Sequence, residues 1–204
     1  MNIKVCGITQ LKQLQQLDGL SIDFAGLDFQ KESLRYVDDK IAKDDLKESD
    51  FDIQKTGVFK DADMIDMLDA IDDYGLDVIQ LNGNESPETC ADLSEEVEVI
   101  KAFTIADSKA DIDSMIADYD DACDYYLFDI PANSKGKVDL KIFAKAKIEK
   151  PFFVSGEISV DDAEAIKKIK HPDFYGININ SRFEKEPGIK DMALILQLKK
   201  ALGW

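Results

Sequence analysis

Cys6 and Asp129 are the residues whose type and setting point to acid–base chemistry. Cys6 lies in Lys4-Val5-Cys6-Gly7-Ile8-Thr9, at the carboxyl end of a short apolar run beside a glycine turn. A thiol there is either inert filler in a strand or, as a thiolate, a base. Asp129 ends a much later run of the same kind, Tyr125-Tyr126-Leu127-Phe128-Asp129. A carboxyl at a strand end is either a plain loop-facing terminus or, if it stays protonated, an acid. The two groups meet only if the strands between them close into a ring.

The elements that would close it can be read in order. Eight β-type runs occur at Ile3–Ile8, Phe24–Phe29, Thr56–Phe59, Val78–Leu81, Val99–Phe103, Tyr125–Ile130, Phe152–Ser155 and Tyr175–Ile179. Their starts are separated by roughly 20 to 30 residues, about one strand-plus-helix unit. Between them lie helical faces: Ile65, Leu68, Ala70 and Ile71; Ile112, Met115 and Ile116; Ala163, Ile166 and Ile169; and finally Met192, Leu194, Ile195, Leu198 and Leu202. Ser86-Pro87-Glu88 and Ser159 resemble helix amino-terminal caps. Several strand runs are near-continuously apolar, as in parallel sheets covered on both faces. Eight such units with no linker predict a closed (β/α)8 TIM barrel, a single domain over residues 1–204. A flavodoxin-like sheet would use only five of them. The length is short for a barrel, so the connections must be tight.

Composition narrows the function classes. Hydrophobic residues make up 45% and charged residues 33% of the chain, enough for a full core. No apolar run approaches the roughly 20 residues needed to span a bilayer, and the chain opens on a strand without a leader. Cys6, Cys90 and Cys123 lack metal-type spacing, which argues against disulfides and zinc. These features predict a cytoplasmic protein with no membrane partner and no metal. The net charge of −17, from 42 acids and 25 bases, repels polyanions and argues against nucleic acid. It also makes any anionic ligand depend on local cations.

In a barrel the chemistry belongs at the carboxyl ends of the strands. Cys6, Arg35, Asn82, Asp129, Gly156, Glu157, Asn178, Asn180, Ser181 and Arg182 fall there. Arg35 and Arg182 are the only two arginines of the chain. A guanidinium presents a planar fork to carboxylate or phosphate; the alternative is two ordinary loop salt bridges.

In order along the chain, Lys4–Thr9, Ser33-Leu34-Arg35-Tyr36-Val37, Thr56-Gly57-Val58-Phe59, Ile79-Gln80-Leu81-Asn82-Gly83-Asn84-Glu85, Val99-Ile100-Lys101-Ala102 and Pro187-Gly188-Ile189-Lys190-Asp191 resemble the phosphoribosylanthranilate isomerase family of tryptophan biosynthesis. The resemblance implies a cofactor-free barrel that converts N-(5′-phosphoribosyl)anthranilate to 1-(2-carboxyphenylamino)-1-deoxyribulose 5-phosphate. It implies Cys6 as general base at C2′, Asp129 as general acid at the ring oxygen and Arg35 on the anthranilate carboxylate. It places the phosphate at the loops after strands seven and eight. Lys4, Asn82, Gly156, Asn178, Asn180, Ser181 and Arg182 complete the expected substrate-binding set. A thiolate at Cys6 requires a nearby cation, and Lys4 shares its strand parity. The oligomeric state, monomer or homodimer, is left open.

The chain departs from the family at several positions. Glu157 follows Ser155-Gly156 where the family has a second glycine, which puts negative charge beside the phosphate site. Asn82 replaces a histidine, and Asn178 an aspartate. Asp28 and Gln30 interrupt strand two, and the loop Pro131–Lys137 is shortened and keeps only Gly136. His171, the lone histidine, is expected in a surface loop on the far face. A diverged or inactive paralogue binding another phosphorylated small molecule is the alternative these departures favour. A purely structural or interaction role has only the acidic surface to support it.

Overall fold

The computed structural model describes residues 1–107, 109–131 and 140–204. Eight parallel strands form a closed barrel in chain order: β1 (Asn2–Cys6), β2 (Phe24–Asp28), β3 (Gln54–Phe59), β4 (Val78–Leu81), β5 (Glu98–Thr104), β6 (Tyr125–Ile130), β7 (Phe152–Gly156) and β8 (Phe174–Ile179). β8 pairs back onto β1 through Lys4 opposite Asn178. The predicted TIM barrel is therefore the observed architecture. β1 stops two residues short of its expected end because Gly7, at φ +76°, turns the chain out of the sheet.

Strand alternation separates two cores. Ile3, Val5, Leu27, Ile79, Val99, Phe128, Val154 and Ile177 face the surrounding helices. The opposite parity fills the barrel, where Phe24, Val78, Ile100, Leu127 and Phe153 form a second buried cluster. Phe24 and Phe153 meet edge to face with centroids 5.3 Å apart, and Tyr125 and Tyr175 pack against them. These rings plug the amino-terminal half of the barrel. A register shift between β7 and β8 near Phe152/Phe153 lets both Tyr175 and Asn178 face inward despite their odd separation.

The short chain saves residues in its helices. α1 (Leu11–Gly19), α3 (Met64–Tyr74), α4 (Pro87–Ser94) and α7 (Met192–Leu202) have two or more turns, whereas α2 (Lys43–Lys47), α5 (Ile112–Ile116) and α6 (Ala163–Ile166) have barely one. Between β6 and β7 the described residues hold only a 3₁₀ segment, Leu140–Lys145. Ser86 caps α4 as expected, accepting from Thr89 N, and Ser159 forms a reciprocal capping box with Asp162 ahead of α6.

Two expectations need correction. α3 buries Met67, Ala70 and Tyr74 and leaves Ile65 72% and Leu68 38% exposed. Tyr74 sets this phase: its ring packs edge-on to Phe29 at 5.0 Å, and its hydroxyl donates to Asp38. His171 does lie in the loop between α6 and β8, but its ring is turned inward. Its side chain is 7% exposed, packs edge-on to Phe152 and accepts from Asp173 N, so it belongs to the layer outside the sheet.

Candidate active site

The inward parity that fills the barrel below continues upward as polar residues around one open cavity of ≈ 390 Å³. Cys6, Asp28, Gln30, Lys60, Gln80, Asn82, Thr104, Asp129, Ser155, Gly156, Glu157, Asn178, Asn180 and Ser181 all line it. Volumes of this order suit a small ligand. Cys6 and Asp129 thus share a single mouth, on strands three places apart around the ring. Asp129 is half-buried, and its carboxylate has no hydrogen-bond partner among the described residues.

Cys6 is the most constrained group at the mouth. Lys4, one inward position below and fully buried, donates from Nζ to Cys6 Sγ at 2.7 Å and to Asn178 Oδ1 at 3.3 Å. Cys6 Sγ lies 3.1 Å from the same amide oxygen, and Asn178 Nδ2 donates to Ser155 Oγ at 3.0 Å. Gly26 on β2 makes room for this cluster: a Cβ there would sit 2.4 Å from Cys6 Sγ and 3.0 Å from Lys4 Nζ. Lys4 is therefore a partner of Cys6 and does not line the cavity, contrary to its expected place among the substrate contacts.

Arg35 stands at the same rim, over Gly7 of the cavity wall. Its guanidinium crosses over Gly7 and meets a carboxylate supplied by the protein, donating from Nε at 2.9 Å and Nη2 at 2.5 Å to Glu184. Glu184 opens a hairpin, β9 (Glu184–Glu186) and β10 (Ile189–Lys190), that sequence patterning alone did not reveal. Glu184 also accepts from Gly188 N and from Lys190 Nζ at 2.7 Å, and Lys190 Nζ reaches Asn180 Oδ1 at 2.7 Å. Burial alone would raise the Glu184 carboxyl. The hydrogen bonds from Arg35 and Lys190 outweigh it and hold the group down at about 2. Burial pushes the Lys190 ammonium below its ordinary value, with Glu184 opposing.

Glu157 and Arg182 face each other at the β7–β8 edge. Arg182 Nε lies 3.8 Å from Glu157 Oε2, and Ser181 Oγ donates to Glu157 Oε1 at 3.4 Å. The arginine is 58% exposed and stands outside the cavity wall. Asn82 accepts from Gln80 Nε2 at 2.8 Å within the wall. Of the loop Pro131–Lys137, only Pro131 lies among the described residues, so Gly136 is outside them. No described helix is long and apolar enough to cross a membrane.

Sequence reasoning missed Lys60, Gln80, Asp28 and Thr104 as wall residues. The signal was available: each has the inward parity of its strand, as in Thr56-Val58-Lys60.

Comparisons with known proteins cover nearly the whole chain. The family model described as N-(5'phosphoribosyl)anthranilate (PRA) isomerase matches residues 3–201. An N-(5'-phosphoribosyl)anthranilate isomerase of Parabacteroides distasonis is 38% identical over 198 residues, covering 94% of this chain and 89% of its own. The phosphoribosyl anthranilate isomerase of Thermotoga maritima shares the fold with a TM-score of 0.86 at 24% identity, over 99% of this chain and 98% of its own. A further isomerase structure, solved with reduced 1-(o-carboxyphenylamino)-1-deoxyribulose 5-phosphate, superposes with a TM-score of 0.83 at 23% identity, over 99% and 98% of the two chains. A match along nearly the whole chain, at that identity, leaves one conclusion: this protein belongs to the phosphoribosylanthranilate isomerase family, the isomerases of tryptophan biosynthesis.

Proposed function

We propose that this chain carries out its family's Amadori rearrangement of N-(5′-phosphoribosyl)anthranilate, with Asp129 as general acid and Cys6 as general base. The observation that carries the reading is the opening of both side chains into one ligand-sized mouth. Asp129 gives its proton to the furanose ring oxygen as the C1′–O bond breaks, and the anilino nitrogen supplies the electron pair that forms the iminium. Cys6 then takes the C2′ proton, the C2′–H electrons neutralise the iminium, and the resulting enolamine tautomerises to the ketone. The Lys4 ammonium, in contact with the sulfur, supplies the positive charge a thiolate base needs.

The phosphate is assigned to the β7–β8 edge, at Gly156, Asn180 and Ser181, with Arg182 just outside. Glu157 does not stand there as an uncompensated charge, because Arg182 and Ser181 face it. Arg35 meets the anthranilate carboxylate, and Glu184 on β9 orients its guanidinium at the rim. Asn82 and Asn178 offer amides where the family has ionisable groups, so the acid–base work falls on Asp129 and Cys6. One barrel domain working in the cytoplasm, as a monomer or homodimer without a metal or cofactor, completes the proposal.

The test is turnover of phosphoribosylanthranilate by the purified protein, with rescue of a tryptophan auxotroph lacking this step. Cys6→Ser and Asp129→Asn should each lower kcat at least about 10²-fold. A wild-type rate in either variant removes that residue from the mechanism. Tight binding of the product analogue without turnover would support the diverged, binding-only alternative.

A further inference from the structure

One carboxylate, that of Glu184, stands between two cations at the rim. Arg35 donates to it from Nε and Nη2, and Lys190 donates to it from Nζ at 2.7 Å. The trio leaves one positive charge in excess, on a chain of net charge −17. The Lys190 side chain is fully buried, and its second partner is Asn180 Oδ1 at 2.7 Å. A buried ammonium persists where charge and strong dipoles meet its hydrogen bonds. Glu184 supplies the charge here, and the second bond goes to a wall residue of the mouth.

That second bond decides which way the Asn180 amide faces. An ammonium donates and cannot accept, so the amide atom turned to Lys190 is the oxygen, and Nδ2 is left on the other side. Asn180 lines the mouth beside Ser181 and Gly156. Its Nδ2 has no hydrogen-bond partner among the described residues. Asn178, two residues earlier, provides the contrast. Lys4 holds its Oδ1 in the same manner, but its Nδ2 is used by Ser155 Oγ. Of these two lysine-held amides, only Asn180 has a donor to spare among the described residues.

Gly7 lets this chain of contacts close over the residue next to Cys6. A Cβ there would meet Arg35 Cδ at 2.4 Å and Asn180 Oδ1 at 2.8 Å. Arg35 and Asn180 are thus the two ends of one hydrogen-bonded series that runs through Glu184 and Lys190. Turning the Asn180 amide over would set Nδ2 against the Lys190 ammonium, donor to donor, in a dry site. Such an arrangement costs the full desolvation of both groups.

We infer that Lys190 is a positioning residue for the phosphate end: it holds the Asn180 amide with Nδ2 toward the mouth, where Nδ2 donates to a phosphate oxygen of the ligand. This rests on the reading of the site as a phosphoribosylanthranilate isomerase with its phosphate at the β7–β8 edge, and the test separates the two. The probe is reduced 1-(o-carboxyphenylamino)-1-deoxyribulose 5-phosphate. Its affinity is measured by calorimetry on wild type, Lys190→Met, Asn180→Ala, the double variant and Asn180→Asp, with a thermal melt of each.

Asn180→Ala should weaken the probe about 10-fold or more, the range of a hydrogen bond to a charged group. Lys190→Met should weaken it by a similar factor, and the double variant should be no weaker than the weaker single one, because Lys190 acts through Asn180. Asn180→Asp gives the ammonium a second carboxylate, so its melting temperature should hold while its affinity falls at least as far as that of Asn180→Ala. With phosphoribosylanthranilate the change should fall on KM, with kcat largely kept. Lys190→Gln carries the same cycle if Lys190→Met does not fold. Additive losses in the double variant overturn the assignment, as does wild-type affinity in Asn180→Ala or Asn180→Asp; wild-type turnover beside either result leaves the isomerase reading standing. A wild type that neither binds the probe nor turns over the substrate overturns both.

Discussion

The Lys4 ammonium is fully buried and 2.7 Å from Cys6 Sγ, and its other hydrogen-bond partner among the described residues is the Asn178 amide oxygen. Burying an ammonium costs several kcal/mol unless charge or strong dipoles compensate. Here the compensation comes from a sulfur and an amide, so the lysine's cost is tied to the residue proposed as base.

Lys4→Met tests that link. Methionine fills similar volume and removes a buried charge, so the melting temperature should hold or rise. If the ammonium sustains the base, kcat/KM should fall about 10²-fold or more. A stability loss matching the activity loss would instead make Lys4 a structural residue, and thermal melts beside steady-state rates distinguish the two.

Gly26→Ala should damage the same cluster from the other side. The added Cβ meets Cys6 Sγ at 2.4 Å, Cys6 Cα at 3.0 Å and Lys4 Nζ at 3.0 Å. β2 and β1 are paired at that point, Gly26 opposite Cys6, so neither strand yields easily. Overpacking of this kind costs about 1–3 kcal/mol. Urea unfolding should show that loss, and activity should fall further than stability accounts for.

How much of this was readable in advance depends on the range of each contact. Lys4 and Cys6 are two residues apart on one strand, so period two placed them on the same face. The eight runs likewise announced the ring because each unit is local. Arg35 and Glu184 are 149 residues apart, and no pattern in either segment signals their pairing. An arginine at a barrel rim reads as free for ligand until its partner is seen. Lys60 failed for a different reason: its parity was legible, but no motif drew notice to it. On α3, apolar side chains surround much of the helix, and only the long-range contacts of Tyr74 with Phe29 and Asp38 decide which of them is buried.

Glu184 should make the protein sensitive to acid. Its folded carboxyl titrates at about 2, below the ordinary value of 4.5. A depressed carboxyl contributes stability that is fully present above its unfolded value and lost as pH falls toward its folded one. The contribution of Glu184 should therefore drain away between about pH 4.5 and pH 2. Urea midpoints measured across that window should fall more steeply in wild type than in Glu184→Gln. Parallel slopes would show that Glu184 is not a source of the acid loss.

The buried pair of Lys101 and Glu85 should dominate the stability of the β3–β4 side of the mouth. Their side chains are 2% and 3% exposed. Lys101 Nζ also donates to Gly83 O at 2.8 Å, while Glu85 accepts from the N–H groups of Asp61 and Gly83. Removing one charge strands the other in a dry site, which typically costs about 3–5 kcal/mol. Glu85→Gln and Lys101→Met should each lose stability on that scale. The double variant should lose less than their sum, because no unpaired charge remains. Additive losses in the double variant would mean that the two residues act through separate contacts.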